Sequence, residues 1–158
     1  ICRGVEKARW NGRMQWIAET GSADLLLEGA HNEEGAAALG SWCRRHLQGR
    51  DVTLLFSALG KKDISSMLKG LLTDAPFRRI LFARMRDEAG LTPQEFMEWV
   101  SPYQGEFEIE SAESVEEGLQ RARKETRADS LCRIVIPGGR GAGVPRKGRN
   151  RCLIFRKS

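Results

Sequence analysis

Two rhythms of apolar residues alternate along the chain. Short apolar runs fall at Ala23–Leu27, at Val52–Ala58, around Ile80–Ala83 within Arg78–Met85, and at Leu131–Ile136. Runs of this kind mark strands buried on both faces. Between them, apolar positions recur at helical spacing. Ala36, Leu39, Cys43 and Leu47 form one stripe, and Ile64, Met67, Leu68, Leu71 and Leu72 a second. Each stripe covers one face of a helix. Asn32 is placed to cap the first helix, with Glu33 and Glu34 in its first turn and Gly49 near its end. Asp63 is placed to cap the second. Thr92-Pro93-Gln94-Glu95 is a capping-box pattern with proline at the first helical position, opening a helix to about Val100. Ser114 and Glu117 repeat that spacing before a charged helix to about Thr126. Weaker strand signals lie at Met14–Glu19 and Phe107–Ile109. Cys2–Arg9 suits a short helix or the end of one, and Arg151–Lys157 an edge strand through Cys152–Phe155. Strands alternating with helices predict an α/β fold: a mostly parallel sheet, right-handed crossovers, helices on both faces.

Composition changes this picture little. A chain of 158 residues suits one compact domain, and 41% hydrophobic with 30% charged residues suits a globular one. No apolar run approaches the roughly 20 residues that span a membrane. Arg3, Glu6, Lys7 and Arg9 interrupt the first residues, so no signal peptide is expected among them. The first residue is Ile1, which suggests a fragment or a processed chain. Cys2, Cys43, Cys132 and Cys152 are scattered, and the histidines are His31 and His46. That spacing builds no zinc site, and it fits a reducing cytoplasm. No metal-ligating residue is expected in this chain.

Charge changes it more. Arg140, Arg146, Lys147, Arg149, Arg151, Arg156 and Lys157 crowd the tail with no acid among them. These seven cations exceed the net charge of +5, so the chain before them is net −2. A nucleic-acid reading would rest on the tail alone.

The candidate chemistry sits in turns. Leu25-Leu26-Leu27 runs into Glu28-Gly29-Ala30-His31-Asn32, so one buried strand delivers an acid, a histidine and an asparagine to the mouth of a helix. Ligands bind at such carboxyl ends in open α/β sheets. Glu28 could accept from ribose hydroxyls and His31 donate to a phosphate or carboxylate. The plainer alternative is that Asn32 only caps the helix and His31 is a solvated turn residue. Glu33 and Glu34 already complement the helix dipole, which disfavours a phosphate directly on that helix end. Trp10-Asn11-Gly12-Arg13 is a second turn, in which a glycine lets an arginine leave toward an anion. An ordinary surface arginine fits the same spacing. Gly60-Lys61-Lys62-Asp63 is a third, between a strand and a helix, with a solvated loop as its alternative. No G-x-x-x-x-G-K-[ST] phosphate loop occurs anywhere in the chain. Gly138–Gly143 has the composition of a phosphate loop, but Pro145 and the charge run after it argue against a helix opening there.

Three of these stretches together carry a resemblance. Trp10-Asn11-Gly12-Arg13-Met14-Gln15, Leu27-Glu28-Gly29-Ala30-His31-Asn32 and Leu59-Gly60-Lys61-Lys62-Asp63 occur in the order and rough spacing of the C-terminal domain of folylpolyglutamate synthase/dihydrofolate synthase. That family lies in the Mur ligase superfamily. The resemblance implies a three-layer Rossmann-like domain of an ATP-dependent amide ligase acting in folate metabolism. In the family a folate carboxylate becomes an acyl phosphate, which the amine of glutamate attacks. An N-terminal domain holds the P-loop, Mg²⁺ and most of the folate site, and the C-terminal domain closes over ATP. By motif matching, Arg13 would contact the ATP phosphates and His31 would lie near the nucleotide, as the catalytic pair. Glu28 would take the place of a ribose-binding aspartate, and Asn32 would support the turn. Lys62 and Asp63 would belong to a substrate-side loop. The chain departs from the pattern at Glu28, one methylene longer than aspartate, at Asn11, where proline is usual, and at Pro137–Gly143.

The expected organisation is therefore a linker or preceding-domain end over 1–9, the α/β domain over 10–137, and a basic tail over 138–158, disordered or non-native. The expected partners are a P-loop ATPase domain of the same enzyme, folate and L-glutamate, with no membrane and no nucleic acid. The expected cofactors are ATP and Mg²⁺, the metal held mainly by the other domain. Two alternatives stay open: the same domain of a Mur-type peptidoglycan ligase, and a non-enzymatic nucleic-acid or interaction module using the tail.

Overall fold

A computed structural model describes residues 12–18, 24–58, 64–85, 90–124 and 132–138. The elements in chain order are β1 (Gln15–Ile17), β2 (Leu25–Leu27), α1 (Glu33–His46), β3 (Val52–Ala58), α2 (Ile64–Leu72), β4 (Phe77–Ala83), α3 (Pro93–Val100), β5 (Glu108–Ala112), α4 (Val115–Lys124) and β6 (Cys132–Gly138). The strands form one six-stranded sheet in the order β1-β2-β6-β3-β4-β5. Among the described residues only β1 runs antiparallel, paired with β2, and the remaining pairs are parallel.

That order explains how the helices divide. The steps from β2 to β3, β4 and β5 all move the same way across the sheet. Crossovers of one hand then put α1, α2 and α3 on one face. The step from β5 back to β6 reverses direction and sends α4 to the other. Burial agrees. Leu26, Leu54, Phe56, Ile80 and Phe82 pack with α1–α3, whereas Leu25, Leu27, Leu55, Leu81 and Ala83 pack with Leu119 and Ala122 of α4. Alternate residues of each strand thus feed two separate cores. Phe96 of α3 stacks on Phe82 and Phe56, with ring centroids 4.6 and 5.8 Å away.

The predicted α/β sheet with helices on both faces is what the structure contains. The five-residue stripe of α2 is buried throughout. Thr92 and Glu95 form a complete capping box with Pro93 inside it. Other expectations shift. The third strand runs over Phe77–Ala83 instead of 78–85, and β5 reaches Ala112. Helix α1 ends at His46, where the Leu47 amide donates to the Cys43 carbonyl, and Gly49 (φ +74°) makes the turn beyond. At α4 the Glu117 amide donates to Ser114 Oγ, but the returning carboxylate accepts from the Glu113 amide, one residue early. That bond, aided by Arg121, holds the Glu117 carboxyl below its ordinary value. The expected elements at 2–9 and 151–157, the Asp63 cap and the tail from 139 lie outside the described residues.

Helix α1 is seated on α2 by the absence of side chains. A Cβ on Gly40 would lie 2.5 Å from the Gly70 carbonyl oxygen and 3.0 Å from that of Leu71. A Cβ on Gly70 would lie 3.1 Å from Ala37. Backbone carbonyls cannot yield as a flexible side chain can. Gly40→Ala is expected to destabilise the fold by about 1–3 kcal/mol, overpacking outweighing the better helix propensity of alanine. A urea titration checks this; an unchanged or higher midpoint would show that the helices slide apart at little cost.

Candidate functional site

The sheet order places the candidate residues. Strands β2, β6 and β3 are adjacent and parallel, so their carboxyl ends share one edge. Leu27 lies beside Val135, and Ala58 beside Gly138. Segment 28–32 leaves from this edge. Strand β1 runs the other way, with Gln15 opposite Leu27, so the residues before β1 arrive at the same edge. Antiparallel pairing therefore brings Arg13 to Glu28. The Trp16 indole, donating to Asp24 Oδ2 at 3.0 Å, fixes the far end of the pair.

The contact is a clasp. Glu28 is 6% exposed. Its Oε2 accepts from the Met14 amide at 2.7 Å, and its Oε1 lies 3.7 Å from Arg13 Nη1. The Gly12 amide donates to Gln15 Oε1 at 2.9 Å. Gly12 and Met14, on either side of Arg13, both have positive φ, +76° and +44°. Glycine adopts this region freely, but methionine does so at a cost of about 1–2 kcal/mol. A hydrogen bond to a charged acceptor is worth about 1.5–3 kcal/mol, enough to offset it. Gly29 completes the fit, since a Cβ there would come within 3.2 Å of the Gly12 carbonyl oxygen. The Arg13 side chain stays 51% exposed, leaving guanidinium donors for an outside anion.

His31 and Asn32 follow on the exposed lip. A carbonyl oxygen only accepts, so His31 Nδ1, 3.1 Å from the Gly29 carbonyl, carries the proton. Nε2 is then the nitrogen left for a partner, as acceptor when neutral and donor when protonated. Asn32 is the N-cap of α1, its Oδ1 accepting from the Gly35 amide at 3.0 Å. With Glu33 and Glu34 exposed in the first turn, this helix end already has its counter-charge. Any anion at this edge is held by side chains.

The Glu28 carboxylate, expected at ribose, turns inward to the Gly12–Met14 turn in this structure. The structure brings Arg13, Glu28 and His31 to one edge and gives Asn32 a capping bond. Trp10, Asn11, Lys62 and Asp63 lie outside the described residues, as does the tail from 139. Met14, Gln15 and Gly29 also belong to the site; nothing in the apolar pattern marks them, and in the sequence they stand out only as members of the two motifs. The exposed Arg13 donors, joined by His31 Nε2 when the imidazole is protonated, suit a phosphate-bearing ligand. Among the described residues no three His, Cys, Asp or Glu side chains converge as metal ligands. No helix among them is long and apolar enough to cross a membrane.

The sequence model of one family, described as "Mur ligase, glutamate ligase domain", matches residues 12–138. The chain is 36% identical over 72 residues to the dihydrofolate synthase/folylpolyglutamate synthase of Bacillus subtilis, across 46% of this chain and 16% of that protein. It is 33% identical over 97 residues to human mitochondrial folylpolyglutamate synthase, across 56% of this chain and 16% of that protein. It thus spans a small part of the curated relatives it matches. Among solved structures, the bifunctional folylpolyglutamate synthase/dihydrofolate synthase of Yersinia pestis, complexed with AMPPNP and manganese, shares the fold. The TM-score is 0.69 at 19% identity, over 85% of this chain and 30% of that one.

The capping role of Asn32 can be separated from any ligand. Asn32→Ala should cost about 1 kcal/mol of stability, as N-cap losses do, and leave the Arg13–Glu28 clasp in place. Chemical denaturation measures the first and the Met14 amide resonance reports the second. No loss of stability would show that the cap is dispensable here.

Proposed function

The chain belongs to the Mur ligase family as its glutamate ligase domain, matched over residues 12–138, and on that premise we propose that it is the C-terminal domain of an ATP-dependent folate:L-glutamate amide ligase. One observation carries the reading: an exposed arginine, braced from behind by a buried acid, stands with His31 at the carboxyl edge of the sheet. A cation so placed suits the phosphate groups of a nucleotide. Both curated relatives named above are folate ligases, which favours folate over a peptidoglycan precursor as the acid substrate.

In the proposed reaction, a carboxylate oxygen of folate attacks the γ-phosphorus of ATP, and ADP leaves. The resulting acyl phosphate is attacked at carbon by the amine of glutamate. Phosphate leaves, the amine gives up a proton, and an amide remains. Mg²⁺, held mainly by a P-loop domain of the same enzyme, supplies neutralisation of phosphate charge. This chain's part is to close over the nucleotide. Arg13 donates to phosphate oxygens as charge develops on them, the contribution for which preorganised donors are most effective. His31 adds Nε2 beside it. Glu28 braces Arg13 from behind and Asn32 supports the turn; Lys62 and Asp63, which follow β3 in the sequence, are assigned to the substrate side. The compartment is the cytoplasm.

The chain has no P-loop sequence. Purified alone, it should release no ADP in a folate- and glutamate-dependent way. Joined to a P-loop domain of the family it should, and Arg13→Ala in that assembly should lower kcat about 10²–10³-fold with the fold intact. A coupled ADP assay and a thermal melt measure both. Substrate-dependent ADP release from the chain alone, or an Arg13→Ala enzyme of full activity, would overturn the assignment.

A further inference from the structure

We infer that Glu28 is a positioning residue for Arg13: by bridging the Met14 amide and the Arg13 guanidinium, it sets the direction in which that guanidinium leaves the sheet edge. The clasp stands on the geometry of this chain; the anion that Arg13 meets rests on the function proposed above.

An acid that serves ribose hydroxyls needs an oxygen open to the ligand, and Glu28 is buried with its oxygens turned toward Met14 and Arg13. Arg13 sits between two residues of positive φ, so its direction is fixed only while both keep that conformation. Gly12 keeps it without help. Met14 does not, and its amide is the group that Glu28 holds. The length of the side chain matters. Strand β2 is fixed between β1 and β6, so the backbone beside Glu28 cannot advance toward the turn. An aspartate, the family residue, would fall short by about one carbon–carbon bond, ~1.5 Å. A bond of 2.7 Å cannot absorb that gap. The extra methylene thus turns a residue that faces ligand in the resemblance into one that faces the protein. There is an opposing effect: the carboxylate beside Arg13 also weakens its attraction for an anion. Glu28 gains orientation at the expense of field.

Substitution separates the two roles because they rank the variants oppositely. Glu28→Gln keeps an acceptor for the Met14 amide and removes the negative charge. Glu28→Asp keeps the charge and loses the reach. Amide exchange by NMR on the 158-residue chain reads the clasp without any ligand. In Glu28→Asp the Met14 amide should exchange at least about tenfold faster, as expected when a hydrogen bond opens. Leu54 and Phe82, deep in the sheet, should stay protected. In Glu28→Gln the Met14 amide should stay protected, while ¹⁵N relaxation shows the Arg13 side chain more mobile. ADP and AMPPNP titrations should rank affinity as Gln at least equal to wild type, and Asp weaker.

Met14 protection that survives in Glu28→Asp overturns the inference. So does tighter nucleotide binding by Asp than by Gln, the order of a ribose acceptor. Should Glu28→Asp lose protection at Leu54 and Phe82 as well, Glu28→Gln decides. An Arg13 side chain no more mobile there than in wild type overturns the inference. If no version binds nucleotide, the functional reading loses its support in this chain, and exchange at Met14 still decides the clasp.

Discussion

The pairing of β6 with both β2 and β3 decides where the described candidate residues lie. Without that strand the segments after β2 and β3 would belong to different parts of the molecule. With it, three parallel strands end together, and the short antiparallel β1 adds a fourth segment to the same edge. The constraint is backbone hydrogen bonding between adjacent parallel strands. That is why the site is built on the most regular part of the fold, while its residues sit in turns. The close seating of α1 on α2 at Gly40 and Gly70 belongs to the same construction. It holds the helix whose first turn forms the lip of the edge.

Much of this was legible in the sequence. The stripe of α2, the β3 run and the Thr92–Glu95 box each rest on a local rule, and each appears with the predicted residues. Boundaries drifted where local rules lose force. Strand β4 begins at Phe77, where its register against β3 shifts after Val52. Strand β5 carries Glu108 and Glu110 along an edge of the sheet, so its apolar signal is thin. The strand order was not legible, because the last of the described strands inserts near the middle, and no pattern in Leu131–Ile136 states its neighbours. The three motifs pointed to one edge only through the family resemblance.

Glu28 shows a different limit. An acid after a buried strand at a turn reads as a group offered outward. Its actual partner is a backbone amide 14 residues earlier, on a methionine in a left-handed conformation. No local preference marks methionine for that region. The conformation exists because a long-range contact outweighs its cost, and contacts of that kind follow from the three-dimensional arrangement. Gly12 and Gly29 were visible, but that they would face each other depended on β1 pairing with β2 in one register.

The electrostatics of the edge bear on what it does alone. The end of α1 is capped by Asn32 and countered by Glu33 and Glu34, so the helix dipole has little left for a ligand. Attraction falls to Arg13 and His31, and Arg13 is already partly neutralised at 3.7 Å by Glu28. Such a wall orients an anion better than it captures one. Orientation without capture is useful only where another surface supplies most of the binding energy. On the proposed reading that surface is the P-loop domain of the same enzyme.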